Sequence, residues 1–320
     1  MSYCRELKHR HYSMVSLRGQ VALRSRTNAV DESAALLFRY SPSESSDRRV
    51  CEMTMPIRLA ILCTLQLTVS TIAFAQEAPV TDCDKYAASD IDPQRKAEGL
   101  PFDKINPVLA VPACEDAVRQ FPNNTRLLFQ LGRAYENANN FAAAIVQFGK
   151  AAEQHSALAE YDLGLMYANS VGVTRDDQQA GGWFRKAADQ GLAAAQHSLG
   201  LMYKDGRGLQ KDDQQAVAWF RKAADQDNAK AQFDLGLMYA NGLGVPRDYQ
   251  QAVAWFRKAA DQRLVAAQIS LGVMYAKGQG VLKDDQQAIL WYRKAAEQGD
   301  KRAKAMLNEL ESSQNAIGNR

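Results

Sequence analysis

Three observations in this 320-residue chain predict an all-α fold, a solenoid of antiparallel helix pairs. The motif Leu-Gly-x-Met-Tyr begins at Leu163, Leu199, Leu235 and Leu271, 36 residues apart each time. An aromatic pair followed by Arg-Lys-Ala-Ala keeps the same register, at Trp183-Phe184, Trp219-Phe220, Trp255-Phe256 and Trp291-Tyr292. A glycine-bearing stretch, such as Lys204 to Gly208, separates the two markers. A fixed period of this size marks a repeat array, whose units contact only their neighbours and together form an extended concave surface.

Each unit follows from its residues. In Ala193 to Gln226, Ala195, Leu199 and Met202-Tyr203 recur at helical spacing. The glycines Gly206 and Gly208 accept the left-handed backbone that closes a helix. Asp212 or Asp213 caps a second helix, whose stripe is Ala216, Trp219-Phe220 and Ala223-Ala224. Gly164, Gly200, Gly236 and Gly272 lie inside first helices, where glycine costs about 1 kcal/mol against alanine. Their recurrence predicts close approach of a neighbouring helix, and the recurring aromatic pairs read as core. The Asp212-Asp213 and Asp284-Asp285 pairs read as caps that complement the helix dipole, not as catalytic carboxylates.

The array extends in both directions. Leu307 falls 36 residues after Leu271, inside one unpaired helix expected over 300–312, with a disordered tail at 313–320. Upstream, Leu131-Gly132-Arg133-Ala134-Tyr135 repeats the signature at a spacing of 32 residues, followed by Ala144, Phe148 and Ala151.

These markers carry a family resemblance. The four units over 157–299, with Leu-Gly-x-Met-Tyr, Gly-x-Gly and Trp-Phe-Arg-Lys-Ala-Ala, resemble Sel1-like repeats, relatives of the tetratricopeptide repeat. Residues 107–156 resemble plain tetratricopeptide helices. The resemblance implies a right-handed superhelix with its concave face lined by the first helix of each unit. Two positions depart from the pattern. Gly181-Gly182 stands where sister units have Val217-Ala218 and Val253-Ala254, which predicts the weakest second helix of the array. Ser170 replaces the turn glycine found at Gly206, Gly242 and Gly278.

The net charge of +3 belongs to the leader. The first 75 residues carry ten basic and six acidic side chains, so the array is close to neutral and has no nucleic-acid footprint. Met55-Pro56-Ile57-Arg58, the uncharged run Leu59 to Ala73 and Ala73-Phe74-Ala75 compose a signal peptide over 55–75. The expected mature chain begins at Gln76 and has no membrane span, in the periplasm or secreted. Residues 1–54 either precede the true start at Met55 (or Met53) or form a cytoplasmic tail ahead of a membrane anchor. Cys83 and Cys114 are the cysteines left after processing. In an exported chain such a pair reads as a disulfide, against the alternative of two free thiols. The bridge would staple an irregular extension at 76–106 to the array and stabilise it by roughly 3–4 kcal/mol.

No catalytic, metal or cofactor constellation emerges from the sequence. His197 occupies an apolar register and His155 a helix end. The concave positions carried over from the resemblance are Arg126, Phe129, Arg133, Glu136 and Asn137 in the first unit. Later units contribute Asn169, Lys204, Asp205, Lys230, Asn241 and Lys277, above a neutral floor of Leu165, Leu201, Leu237 and Val273. These residues either meet a partner or are ordinary solvated helix positions. If they meet a partner, replacing Arg126 and Arg133 should leave stability nearly unchanged. The resemblance implies an exported scaffold or adaptor that takes a peptide or helix of another protein, in envelope signalling or exopolysaccharide regulation, and no enzyme. Two alternatives stand beside it: a β-lactam-binding or hydrolysing protein like some cysteine-rich Sel1-like proteins, although their cysteine in every repeat is missing here, and a purely structural envelope protein.

Overall fold

The computed structural model describes residues 78–318. The expected leader (1–54), signal segment (55–75) and mature start at Gln76 lie outside the described residues. Among those residues there are thirteen α-helices. A short N-terminal stretch holds α1 (Asp82–Ala87) and a 3-10 turn at Phe102–Lys104. The helices α2 (Pro107–Gln120), α3 (Thr125–Asn137) and α4 (Phe141–Glu153) follow. Four regular pairs come next: α5 (Ala157–Asn169) with α6 (Asp177–Asp189), α7 (Ala193–Asp205) with α8 (Asp213–Ala224), α9 (Ala229–Asn241) with α10 (Tyr249–Asp261), and α11 (Val265–Lys277) with α12 (Asp285–Glu297). Helix α13 (Lys301–Gly318) closes the array. Each helix packs on its predecessor and its successor, and α1 also touches α3.

The predicted stop and start signals hold. Gly206, Gly242 and Gly278 end first helices with left-handed backbone. Ser170 adopts the same conformation at φ 58°, at the cost of roughly 1–2 kcal/mol that a Cβ adds there. Asp176, Asp212 and Asp248 each accept two backbone N–H groups at the start of second helices, and Asp284 accepts one. The ambiguity at Asp212-Asp213 thus resolves in favour of Asp212.

The core is built from close helix approach. A Cβ on Gly236 would sit 2.6 Å from the Phe256 ring, and the same geometry recurs at Gly164 with Phe184, Gly200 with Phe220 and Gly272 with Tyr292. Only a side chain without a Cβ lets the ring of the second helix lie flat against the first helix's backbone. The tryptophans act one step further along. Trp219, on α8, is buried in the cluster formed by Ala180 and Phe184 of α6 with Leu199 and Met202 of α7. Trp255 and Trp291 repeat that arrangement one and two units later, while Trp183 at the start of the row is half-buried.

Polar ladders join the apolar layers. Arg185, Arg221 and Arg257 donate to the hydroxyls of Tyr203, Tyr239 and Tyr275 in the next unit. Arg293 finishes the series on Glu311 of α13 at 2.9 Å. Within units, Gln226, Gln262 and Gln298 donate to Gln196, Gln232 and Gln268 at 2.8–2.9 Å.

Both ends differ from the sequence reading. The extension is not wholly irregular: Thr81 and Asp84 form a capping box that starts α1, and Cys83 on α1 is bonded to Cys114 on α2. At the other end, α13 runs six residues past the expected boundary at 312.

The glycine notch gives a signed prediction. Gly236→Ala should destabilise by about 1–3 kcal/mol, the usual cost of overpacking, although alanine is the better helix former. Gly182 of α6 faces open space, and its sisters are Ala218 and Ala254. Gly182→Ala should therefore stabilise by up to about 1 kcal/mol. Urea unfolding of the two variants checks the opposite signs.

Candidate partner-binding face

The first helices of successive units adjoin one another. His197 Nε2 of α7 lies 2.7 Å from Asp234 Oδ2 of α9. The His197 ring also packs at 5.7 Å on Phe220. It is a half-buried core ring, as its apolar register suggested, with a carboxylate partner that the register does not reveal. Along these helices Leu165, Leu201, Leu237 and Val273 are half-buried, each packed against a core cluster. Asn169, Asp205, Lys230, Asn241 and Lys277 are exposed, and half-buried Lys204 lies 3.9 Å from Asp205. Asn241 donates to the Leu237 carbonyl of its own helix at 2.9 Å.

The first unit behaves otherwise. Arg126, Gln130, Arg133 and Asn137 form one stripe on α3, four, three and four residues apart, and every one is engaged by the N-terminal segment. Arg126 pairs with Asp84 and donates to the carbonyls of Ala78 and Pro79 at 3.1 and 3.3 Å. Gln130 donates to Asp84 at 3.0 Å. Arg133 donates to the carbonyls of Ala87 and Leu100 at 2.9 and 3.0 Å. Asn137 donates to Phe102 O at 2.9 Å.

This corrects the expectation for α3. Arg126 and Arg133 are each 5 % exposed and hold the chain's own segment, while Phe129, 3 % exposed, packs on Phe148 in the core, so none of the three stands free on an open face. Glu136 and Asn137 are half-buried beside them. The two arginines, seven residues apart, share one side of α3, where the chain's own segment lies against them. Gln130 and Asp84 complete this network and were missed. The available signals were the Thr-x-x-Asp capping pattern at Thr81 and the four-three-four spacing on α3.

The electrostatics reflect the same covering. Burial pulls the Arg133 guanidinium down and pushes the Glu136 carboxyl up. Burial, together with neighbouring Glu136, raises half-buried Asp162 to about 8 against the pull of Arg133. Among the described residues no group of three His, Cys, Asp or Glu side chains is placed to hold a metal ion, and no helix is long and apolar enough to cross a membrane.

The Sel1 repeat family model matches residues 157–192, 193–228, 229–264 and 265–300. A solved structure of a protective antigen present in uropathogenic Escherichia coli strains, displaying an SLR fold, is 38% identical with a TM-score of 0.60. That match covers 62% of this chain, which spans 43% of that protein's length. A Sel1 repeat protein from Oxalobacter formigenes is 34% identical with a TM-score of 0.54, over 57% of this chain and 74% of that one. No match is found among curated proteins.

Two predictions follow from the covered stripe. Arg133→Ala leaves two carbonyls of the docked segment without their donor, and should cost at least about 2 kcal/mol. Lys277→Ala, on the exposed part of the face, should stay within about 0.5 kcal/mol; urea midpoints decide between the two. The second concerns pH. Asp162 holds its proton in the fold at pH values where the unfolded chain has lost it, so the fold becomes less favourable as pH rises. The loss begins near the unfolded carboxylate value of about 4 and is complete above about 8. Asp162→Asn should flatten that fall in stability between acid and mildly alkaline pH, measured as urea midpoints across the window.

Proposed function

This chain belongs to the Sel1 repeat family, and from that premise we propose that it is an exported scaffold whose first-helix face, from α5 onward, binds another protein. The single observation that carries the reading is the docked N-terminal segment. It is a peptide held on the first-helix face by side chains that donate to its backbone carbonyls. That is recognition of an irregular chain by a rigid helical surface, performed within one molecule. The face beyond α3 keeps the same architecture, with a half-buried aliphatic floor and a mixed rim of Asn169, Asp205, Lys230, Asn241 and Lys277, suited to a peptide or helix docked by apolar contacts.

Export is proposed on the basic start, apolar run and small-residue end of residues 55–75. The disulfide supports it, because such bonds persist in oxidising compartments. A role in envelope signalling or exopolysaccharide regulation is the narrower form of the proposal.

A photo-crosslinking residue placed at Asn241 should capture a partner in the native host, and the same residue at Lys222, on a second helix, should not. Equal capture from both positions, or none from either, removes the assignment to this face. Intact mass of the protein from that host should correspond to a chain starting at Gln76. A soluble species still carrying residues 1–54 overturns export.

A further inference from the structure

The N-terminal segment that covers α3 also builds something new at its edge. Between Ile91–Gln94 and the N-terminal ends of α3, α5 and α7 lies a cleft of about 660 Å³. That size is within the roughly 300–1,000 Å³ of ligand pockets. Leu158 and Leu192 line it from the array and Ile91 from the segment. Ile91 is 56 % exposed and leaves apolar surface open on that wall. The rim carries Gln154, Gln190 and Gln226, one per unit at 36-residue intervals.

The charge of the lining selects the ligand class. Arg126 reaches the cleft but is already paired with Asp84. Asp92 also lines it, buried, and its carboxylate accepts the Gln94 N–H at 2.8 Å. What remains is apolar surface that includes the Phe129 ring, the polar side chains of His155, Ser156 and Asn228, and the row of amides. Of these amides, Gln154 accepts from Thr125 while Gln190 and Gln226 donate to Glu160 and Gln196, each keeping further donor or acceptor atoms. That combination matches a peptide main chain flanking one apolar side chain. The position fits too. The cleft continues, across α5 and α7, the track on which α3 already holds the carbonyls of residues 78–102.

We propose that this cleft is the anchor point for the partner protein. It takes an extended, uncharged peptide segment bearing a single aliphatic or aromatic side chain, and the chain's own Ile91–Gln94 forms one wall of the site. The proposal rests on the reading of the first-helix face as a protein-binding surface, and it adds where binding is centred and what is bound.

The test selects a random peptide library displayed on phage against the full chain in its oxidised form. Enriched peptides should share an aliphatic or aromatic residue between uncharged neighbours. A blocked synthetic peptide of that consensus should bind with an affinity that falls at least tenfold in Ile91→Glu and in Ala194→Glu. Both positions are solvent-accessible, and circular dichroism should show unchanged helicity. Lys222→Glu, exposed on the second helix α8 and outside this face, should leave binding of this peptide unchanged, and Leu237→Glu reports on the rest of the face. A charged consensus, no enriched peptide at all, or binding that survives Ile91→Glu overturns the cleft. Binding lost in Leu237→Glu but kept in Ile91→Glu overturns the cleft while preserving the first-helix face as the interaction surface.

Discussion

The contact between a first-helix glycine and a second-helix aromatic ring governs this architecture. At Gly132 with Phe148 and in the four later units, the ring occupies the volume that a Cβ would take. Helix propensity argues against a central glycine by about 1 kcal/mol. Burying a ring offers about 1.5–3 kcal/mol, so packing wins at every unit. With the pair fixed at close range, the small residues Ala187, Ala195, Ala223 and Ala231 become fully buried spacers. The tryptophan of the following unit then closes the layer from the other side.

The repeated part was legible in the sequence because its determinants are local. A glycine turn, an aspartate cap and a helical apolar stripe each lie within a dozen residues of the partner they specify, and the period multiplied the signal. Even the Ser170 departure keeps the left-handed helix end, with its N–H on the Met166 carbonyl. The N-terminal segment was not legible for the opposite reason. Its bonds to α3 join residues 33–48 apart, occur once, and pair side chains with backbone carbonyls that carry no residue identity. A stripe such as Arg126, Gln130, Arg133 and Asn137 announces a face that binds something polar. It does not say whether that something arrives from another molecule or from upstream in the same chain. His197 shows the same limit on a smaller scale: its register identified a packed ring, and Asp234, 37 residues away, remained invisible.

The two ends of the array are finished by different means. The N-terminal end is covered by an irregular segment, a buried ion pair and a covalent bond between α1 and α2. The C-terminal end is covered by one long helix, which accepts the last rung of the arginine ladder through Glu311 instead of a tyrosine. An exposed carboxylate there lets the terminal helix face water on its outer side, whereas the N-terminal cover needs burial and crosslinking because it has little regular structure of its own.

The ladders have a consequence for how such a chain changes length. Every rung joins partners at a constant offset, 18 residues for arginine to tyrosine and 30 for the glutamine pairs. Each tryptophan likewise meets a socket in the unit before it. A duplication or deletion of one 36-residue stretch, begun at any phase of the repeat, therefore rejoins matching partners throughout and asks for no compensating substitution. The binding face grows or shrinks by one helix at a time, like a ruler cut at its graduations. The covered stripe on α3 has no such freedom: it is written once, and tandem copying would produce a second set of buried arginines with no segment to hold.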